Sequence, residues 1–287
     1  MMKQEFVRLK STDNIEMPGI LSSPEGGSDT IVLHVHGLNG NFYENRFLDA
    51  LVDAYTSKGY AFLAFNNRGR DFLTELLQGD EFVVIGGCKE RFKDCLLDLD
   101  GAVEWAKSRG YTKIILSGHS YGCNKVAYYY AQRKDPAIQK IVLMAPCDIP
   151  EEPKHFLSEE EYAKVKADAE RCVAAGDEDA LIDYSVMGDN RVAAGTFYHD
   201  FLAGGENDFF RYIDGVDGKS EVLQLIRVWI QFTHRNLLDA GSPVFGACEQ
   251  GVQTPSQAMR LLRHNCSLLI DYFFFLLRDR TSLARDS

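Results

Sequence analysis

Residues 113 to 124 read Lys113-Ile114-Ile115-Leu116-Ser117-Gly118-His119-Ser120-Tyr121-Gly122-Cys123-Asn124, an apolar run ending in a serine between two glycines. This is the G-x-S-x-G pattern, in which Gly118 and Gly122 leave room for a strand to turn sharply into a helix and hold Ser120 in a strained, exposed pose. Three fixed positions in five recur by chance, so the flanks decide. Lys113 to Ser117 reads as a buried parallel strand, and Tyr121 to Arg133 carries apolar residues at helical spacing with no proline. The plainer alternative is a tight turn shaped by glycines, with Ser120 idle.

Working outward, segments 5–10 and 15–21 alternate about Ser11-Thr12-Asp13-Asn14 and predict an N-terminal hairpin. Thr30 to His36 is a β-branched strand that runs into His36-Gly37-Leu38-Asn39-Gly40. A strand followed by His-Gly and a loose turn can aim a backbone N–H at a developing oxyanion, and Leu38 N–H is the candidate donor. His36 is expected to fix this loop rather than act as a base, and His34 to pack in the core. An amphipathic helix is expected over 44–58, then a strand over 60–65 ending in Asn66-Asn67-Arg68-Gly69-Arg70-Asp71. Arg68, Arg70 and Asp71 read either as turn-stabilising groups or as an anion contact. Residues 72 to 90 form a long mixed connection with turn signals at Gly79-Asp80 and Gly86-Gly87.

A helix over 91–108 precedes the Ser120 strand, and a strand over 140–145 follows the Ser120 helix, ending in Pro146-Cys147-Asp148. The tyrosines at 128, 129 and 130 are expected to pack or lie at the surface. Strands and helices thus alternate, which predicts an α/β fold with a mostly parallel sheet, helices on both faces and chemistry at the strands' C-terminal ends. His36-Gly37-Leu38, Asn67, Ser120 and Asp148 all fall at such ends.

A net charge of -11 and a pI near 5.1 disfavour nucleic-acid or anionic-membrane partners. No basic-then-apolar leader opens the chain, so a cytoplasmic location is expected. The apolar run over 272–277 is far short of the roughly 20 residues of a membrane-spanning helix and is expected to be a core strand. Seven scattered cysteines without a C-x-x-C pair predict reduced, mostly buried thiols and no metal. No cofactor is expected: neither G-x-G-x-x-G nor a P-loop follows the first parallel strand, which disfavours a nucleotide-binding protein.

The stretches from His36 to Phe47, from Phe65 to Gly69 and from Gly118 to Gly122 resemble the α/β-hydrolase fold family, and within it small intracellular serine hydrolases related to fungal siderophore esterases. The resemblance covers about residues 1 to 150. It implies Ser120 as a nucleophile on a small-molecule ester or acyl substrate, with the N–H groups of Leu38 and Tyr121 as the oxyanion hole. It divides the chain into core 1–149, a helical lid insertion over 150–215, and core 216–287. In the insertion, Ser158 to Ala175 reads as a helix with a Ser158/Glu161 capping box, and 177–186 as another short helix. His155 and His199 are expected at the surface.

A serine nucleophile needs a base, and the base an orienting carboxylate. In the resembling family the acid follows the next strand, which gives Glu249 after Ser242 to Cys248, with Asp239 and Asp148 as runners-up. The base should follow the last strand, yet no histidine occurs after His264. His264 on a helix and His234 in 229–235 are weak candidates. The segment 228–241 and the tail from 273 depart from the family pattern, as an incomplete or altered C-terminal part would. Two functions stay open: an ester hydrolase, or a weakly active or inactive hydrolase-fold protein that binds an acyl or ester ligand or a partner. The oligomeric state is not legible.

Overall fold

A computed structural model describes residues 2–186, 190–202, 207–208, 210–213 and 223–225 of the chain. It divides into two compact units, Met1–Leu223 and Gln224–Ser287. The last strand among the described residues is Leu223–Leu225.

The first unit opens with the hairpin expected from the sequence, β1 (Lys3–Lys10) against β2 (Glu16–Ser23), antiparallel from Lys3↔Ser23 to Lys10↔Glu16. Its turn places Asn14 at φ 67°, a left-handed conformation that asparagine tolerates. Next come β3 (Thr30–Val35), α1 (Phe47–Thr56) and β4 (Ala61–Phe65). Every residue of β3 and β4 is buried, as continuous apolar strands in a covered sheet require. Helix α1 is shorter than the expected 44–58. The Asn41 side-chain oxygen accepts from the Tyr43 and Glu44 N–H groups at 3.2 and 2.8 Å, which holds residues 41–46 in a turn.

The connection after β4 contains a second hairpin, β5 (Glu75–Gln78) and β6 (Glu81–Val84), turning at Gly79 with φ 63°. A 3₁₀ turn (Phe92–Asp94) then leads into α2 (Cys95–Ser108). Strand β7 (Lys113–His119), helix α3 (Tyr121–Arg133) and strand β8 (Ile138–Met144) follow as the motif predicts.

The strands align in the order β1-β2-β4-β3-β7-β8. The β3/β4, β3/β7 and β7/β8 pairs are parallel; β2/β4 is antiparallel. The path steps from β3 outward to β4, then back past β3 to β7. Right-handed crossovers therefore put α1 on one face and α2 with α3 on the other, and the reversal makes a crevice between the C-terminal ends of β3 and β7. Gly37 and Ser120 flank that crevice.

Beyond β8 lie α4 (Glu152–Phe156), α5 (Glu159–Ala174), α6 (Ala194–Asp200) and α7 (Phe210–Ile213). The Ser158/Glu161 capping box is formed in both directions. The expected helix over 177–186 is absent. That stretch is a turn over 177–180 followed by a single bridge: Leu181 bridges Ala193, Ile182 N–H donates to Val192 O at 3.1 Å, and Ala194 N–H to Ala180 O at 2.8 Å. Ile182 and Val186 are four apart and both buried, so spacing alone imitates a helix.

Candidate active site

The G-x-S-x-G segment folds as strand, turn and helix because its glycines have no room for a side chain. A Cβ at Gly118 would collide with Gly122 O, and one at Gly122 with Val35 O. The chain can therefore reverse tightly from β7 into α3, which leaves Ser120 at φ 53°, ψ -126°. For a residue with a side chain this is a costly conformation, of order 1–3 kcal/mol, held by its surroundings. Ser120 N–H donates to Met144 O at 2.8 Å, and Cys123 N–H returns to Ser120 O at 2.9 Å.

The β3 loop closes on this serine from the other side of the crevice. A Cβ on Gly37 would stand 2.9 Å from Ser120 Cβ and 3.4 Å from its Oγ, so only glycine lets the loop pass so near. Leu38 follows directly, and Tyr121 is the first residue of α3, where backbone N–H groups lack intrahelical acceptors. Neither the Leu38 nor the Tyr121 N–H bonds to another described residue.

His36 holds the loop. Asn67 N–H donates to its Nε2 at 3.2 Å, so its Nδ1 carries the proton and donates to Gly37 O at 2.8 Å. Burial and then the Lys125 ammonium push its pKa down to about 3, which keeps the ring neutral. His34 is buried against Phe62, bonds to Ser117 Oγ at 3.1 Å, and has its pKa lowered to about 3 by burial. His119 packs on Phe47, and burial lowers its pKa as well. His155 is exposed, and His199 stands 3.6 Å from Glu178 at the surface.

Ser120 Oγ lies 3.2 Å from Cys147 Sγ. Asn124 clamps that cysteine's backbone, donating to Cys147 O at 3.0 Å and accepting from its N–H at 3.3 Å. The sequence reading placed Cys147 only as the end of a strand. The signal was there, since residues after β8 emerge at the same sheet edge as Ser120. Lys125 was missed too, although a lysine on the buried face of a helix, four residues after Tyr121, is an unusual charge. Its Nζ pairs with Glu90 Oε2 at 2.6 Å, with both side chains almost fully buried.

Arg68 is not a turn group held by local carbonyls. It is buried against Asp98, which takes its Nε at 3.0 Å and Nη2 at 2.8 Å, and against Asp13 at 2.8 Å. Arg70 is the local one, reaching Asp71 and Glu75 O at 3.2 Å each. Tyr128 and Tyr129 are buried, and the five described cysteines are buried and form no disulfide among the described residues. Asp148 caps a turn, its carbonyl accepting from the Glu151 and Glu152 N–H groups at 3.0 Å. Glu249, Asp239, His234, His264, Cys248, Cys266 and the run 272–277 lie outside the described residues.

The α/β hydrolase fold family matches residues 30–187. No curated protein matches the chain. Among solved structures, the α/β hydrolase GrgF from Penicillium sp. sh18 is 15% identical, with 76% of this chain and 78% of that one covered and a TM-score of 0.55. The Pyrococcus furiosus esterase Pf2001 is 22% identical over 57% of this chain, with a TM-score of 0.43, and the chain spans 61% of that esterase's length. The siderophore hydrolase EstB from Aspergillus fumigatus is 15% identical, with 68% of this chain and 64% of that one covered and a TM-score of 0.46. Since the family match takes in more than half of its 287 residues, the chain belongs to the α/β hydrolase fold family.

Proposed function

We propose that the protein is a serine hydrolase acting on a small-molecule carboxylic ester through an acyl-enzyme on Ser120. The observation that carries this reading is the backbone of Ser120, at φ 53° and ψ -126° between β7 and α3, with Gly37 drawn against it. Strain of this kind presents a hydroxyl at the rim of a sheet and serves no packing purpose. Ser120 Oγ attacks the ester carbonyl, and the Leu38 and Tyr121 N–H groups, the latter at the positive end of α3, receive the oxyanion. As the acyl–Oγ bond forms, the ester's alcohol leaves with the serine proton, passed on by the base, and water then cleaves the acyl-enzyme to release the acid and restore the hydroxyl. Glu249 orients the base, and the insertion over 150–215 acts as a lid. A cytoplasmic protein needing no cofactor, binding no nucleic acid or membrane, completes the reading. No helix among the described residues is long and apolar enough to cross a membrane.

A second reading, a weakly active or inactive scaffold that binds an acyl or ester ligand or a partner, is favoured by the Cys147 thiol at Ser120 Oγ and by His34 and His36 being held elsewhere. Hydrolysis of a short-chain aryl ester by the full-length protein separates the two. Under the enzyme reading, Ser120→Ala lowers kcat by about 10³-fold or more, and a matching fall in His234→Ala or His264→Ala would identify that histidine as the base. Turnover by the native protein no faster than by Ser120→Ala leaves the binding reading.

A further inference from the structure

Beneath the crevice lies a buried ion pair that the reaction above does not use. Among the described residues Lys125 Nζ makes three contacts: Glu90 Oε2 at 2.6 Å, Asn67 Oδ1 at 3.2 Å, and the face of the Tyr121 ring at 5.0 Å from its centroid. We propose that Lys125, held by Glu90, is a positioning residue that aims both backbone donors of the oxyanion hole, a role that rests on the ester-hydrolase reading of Ser120.

Two of these contacts, to Asn67 and to Tyr121, each lead to one donor, and the third, to Glu90, fixes the ammonium itself. Asn67, fixed by Lys125, gives its N–H to His36, and His36 gives its proton to Gly37 O. Gly37 O and the Leu38 N–H belong to one planar peptide and point in opposite directions. Clamping the carbonyl, which also accepts from Gly40 N–H at 3.0 Å, therefore sets the direction of the Leu38 N–H. On the other side the ammonium sits over the Tyr121 ring, whose hydroxyl accepts from Asn207 Nδ2 at 3.2 Å, so the first residue of α3 is pinned at both ends of its side chain.

The fold gives up packing space to admit the pair: any side chain at Gly69 would strike the Glu90 carboxylate. Two charges taken fully out of water add little net stability compared with apolar residues of the same volume. What the pair supplies is a fixed point shared by the loops after β3 and β4 and by the start of α3.

The test compares the double variant Lys125→Met/Glu90→Gln, which leaves no unpaired charge buried, with Leu9→Ala, a core change in β1 remote from the serine. If the double variant does not fold, Glu90→Gln alone takes its place. With a short-chain aryl ester, kcat is expected to fall about ten- to hundredfold while KM stays within about twofold, since donors aimed at the oxyanion act in the transition state. Leu9→Ala keeps both constants. Amide hydrogen exchange of residues 36–41 is expected to quicken about tenfold in the variant relative to β1 and β2. Unchanged exchange overturns the proposal whatever the kinetics, and so does faster exchange with kcat unchanged in an active native enzyme. If the native protein does not turn over ester, it is the hydrolase reading that fails, and the exchange measurement alone decides the positioning role.

Discussion

His34 shows how a single buried residue ties stability to pH. Its ring lies in the core between Phe62 and Phe47, and burial lowers its pKa to about 3 from an ordinary 6.5. The folded chain then refuses a proton that the unfolded chain accepts, so this histidine's contribution is full above about pH 6.5 and is lost as the pH falls toward 3. The slope is about 1.4 kcal/mol per pH unit. His34→Gln removes one such group while His36 and His119 remain in both proteins. Urea melts at pH 7.5, 6.0 and 5.0 should show the variant less stable at pH 7.5 and the gap closing at that slope below pH 6. A gap that stays constant contradicts a neutral buried imidazole. The placement of His34 was legible from its position in a β-branched run, and the role of His36 from its Gly37 neighbour. For Lys125 and Cys147 the sequence marks only an unusual position, because their importance comes from partners 35 and 27 residues away.

At the scale of elements, the decisive contact is α3 against β3. Gly122 sits so close to the backbone of Val35 and His36 that a Cβ would overlap Val35 O and stand 2.7 Å from His36 O. Neither is a side chain that can swing aside. Gly122→Ala must therefore push the helix start off the strand, and it is expected to cost about 1–3 kcal/mol of overpacking strain and to abolish ester turnover by moving the Tyr121 N–H. Denaturant unfolding read beside the ester assay checks this; a stable, fully active variant contradicts the close approach. Elements that are buried throughout, such as β3 and β4, or buried along their middle, such as β7 from Ile114 to Gly118, announced themselves as apolar runs. The β5–β6 hairpin did not, since its four-residue strands mix charges with exposed Phe82 and Val84. The stretch 177–186 misled because an irregular segment whose hydrogen bonds go to Val192 and Ala194 can bury residues four apart as a helix does.

For the whole molecule, the account turns on one arrangement: a path that reverses between β3 and β7, opening a crevice where a glycine loop and a strained serine meet. The alternation that produces the sheet was visible in the sequence through residue 150, and with it the side of the sheet on which chemistry belongs. The base and the acid were not fixed by that alternation, because Glu249, His234 and His264 fall in the second unit, outside the described residues. The nucleophile can be tested without either. Full-length protein treated with a fluorophosphonate and digested should yield the Ser120 peptide carrying one phosphonyl group by mass spectrometry, with Ser120→Ala unmodified. A folded native protein that leaves Ser120 unmodified, or that carries the adduct on another residue, would contradict the assignment of Ser120 as the nucleophile.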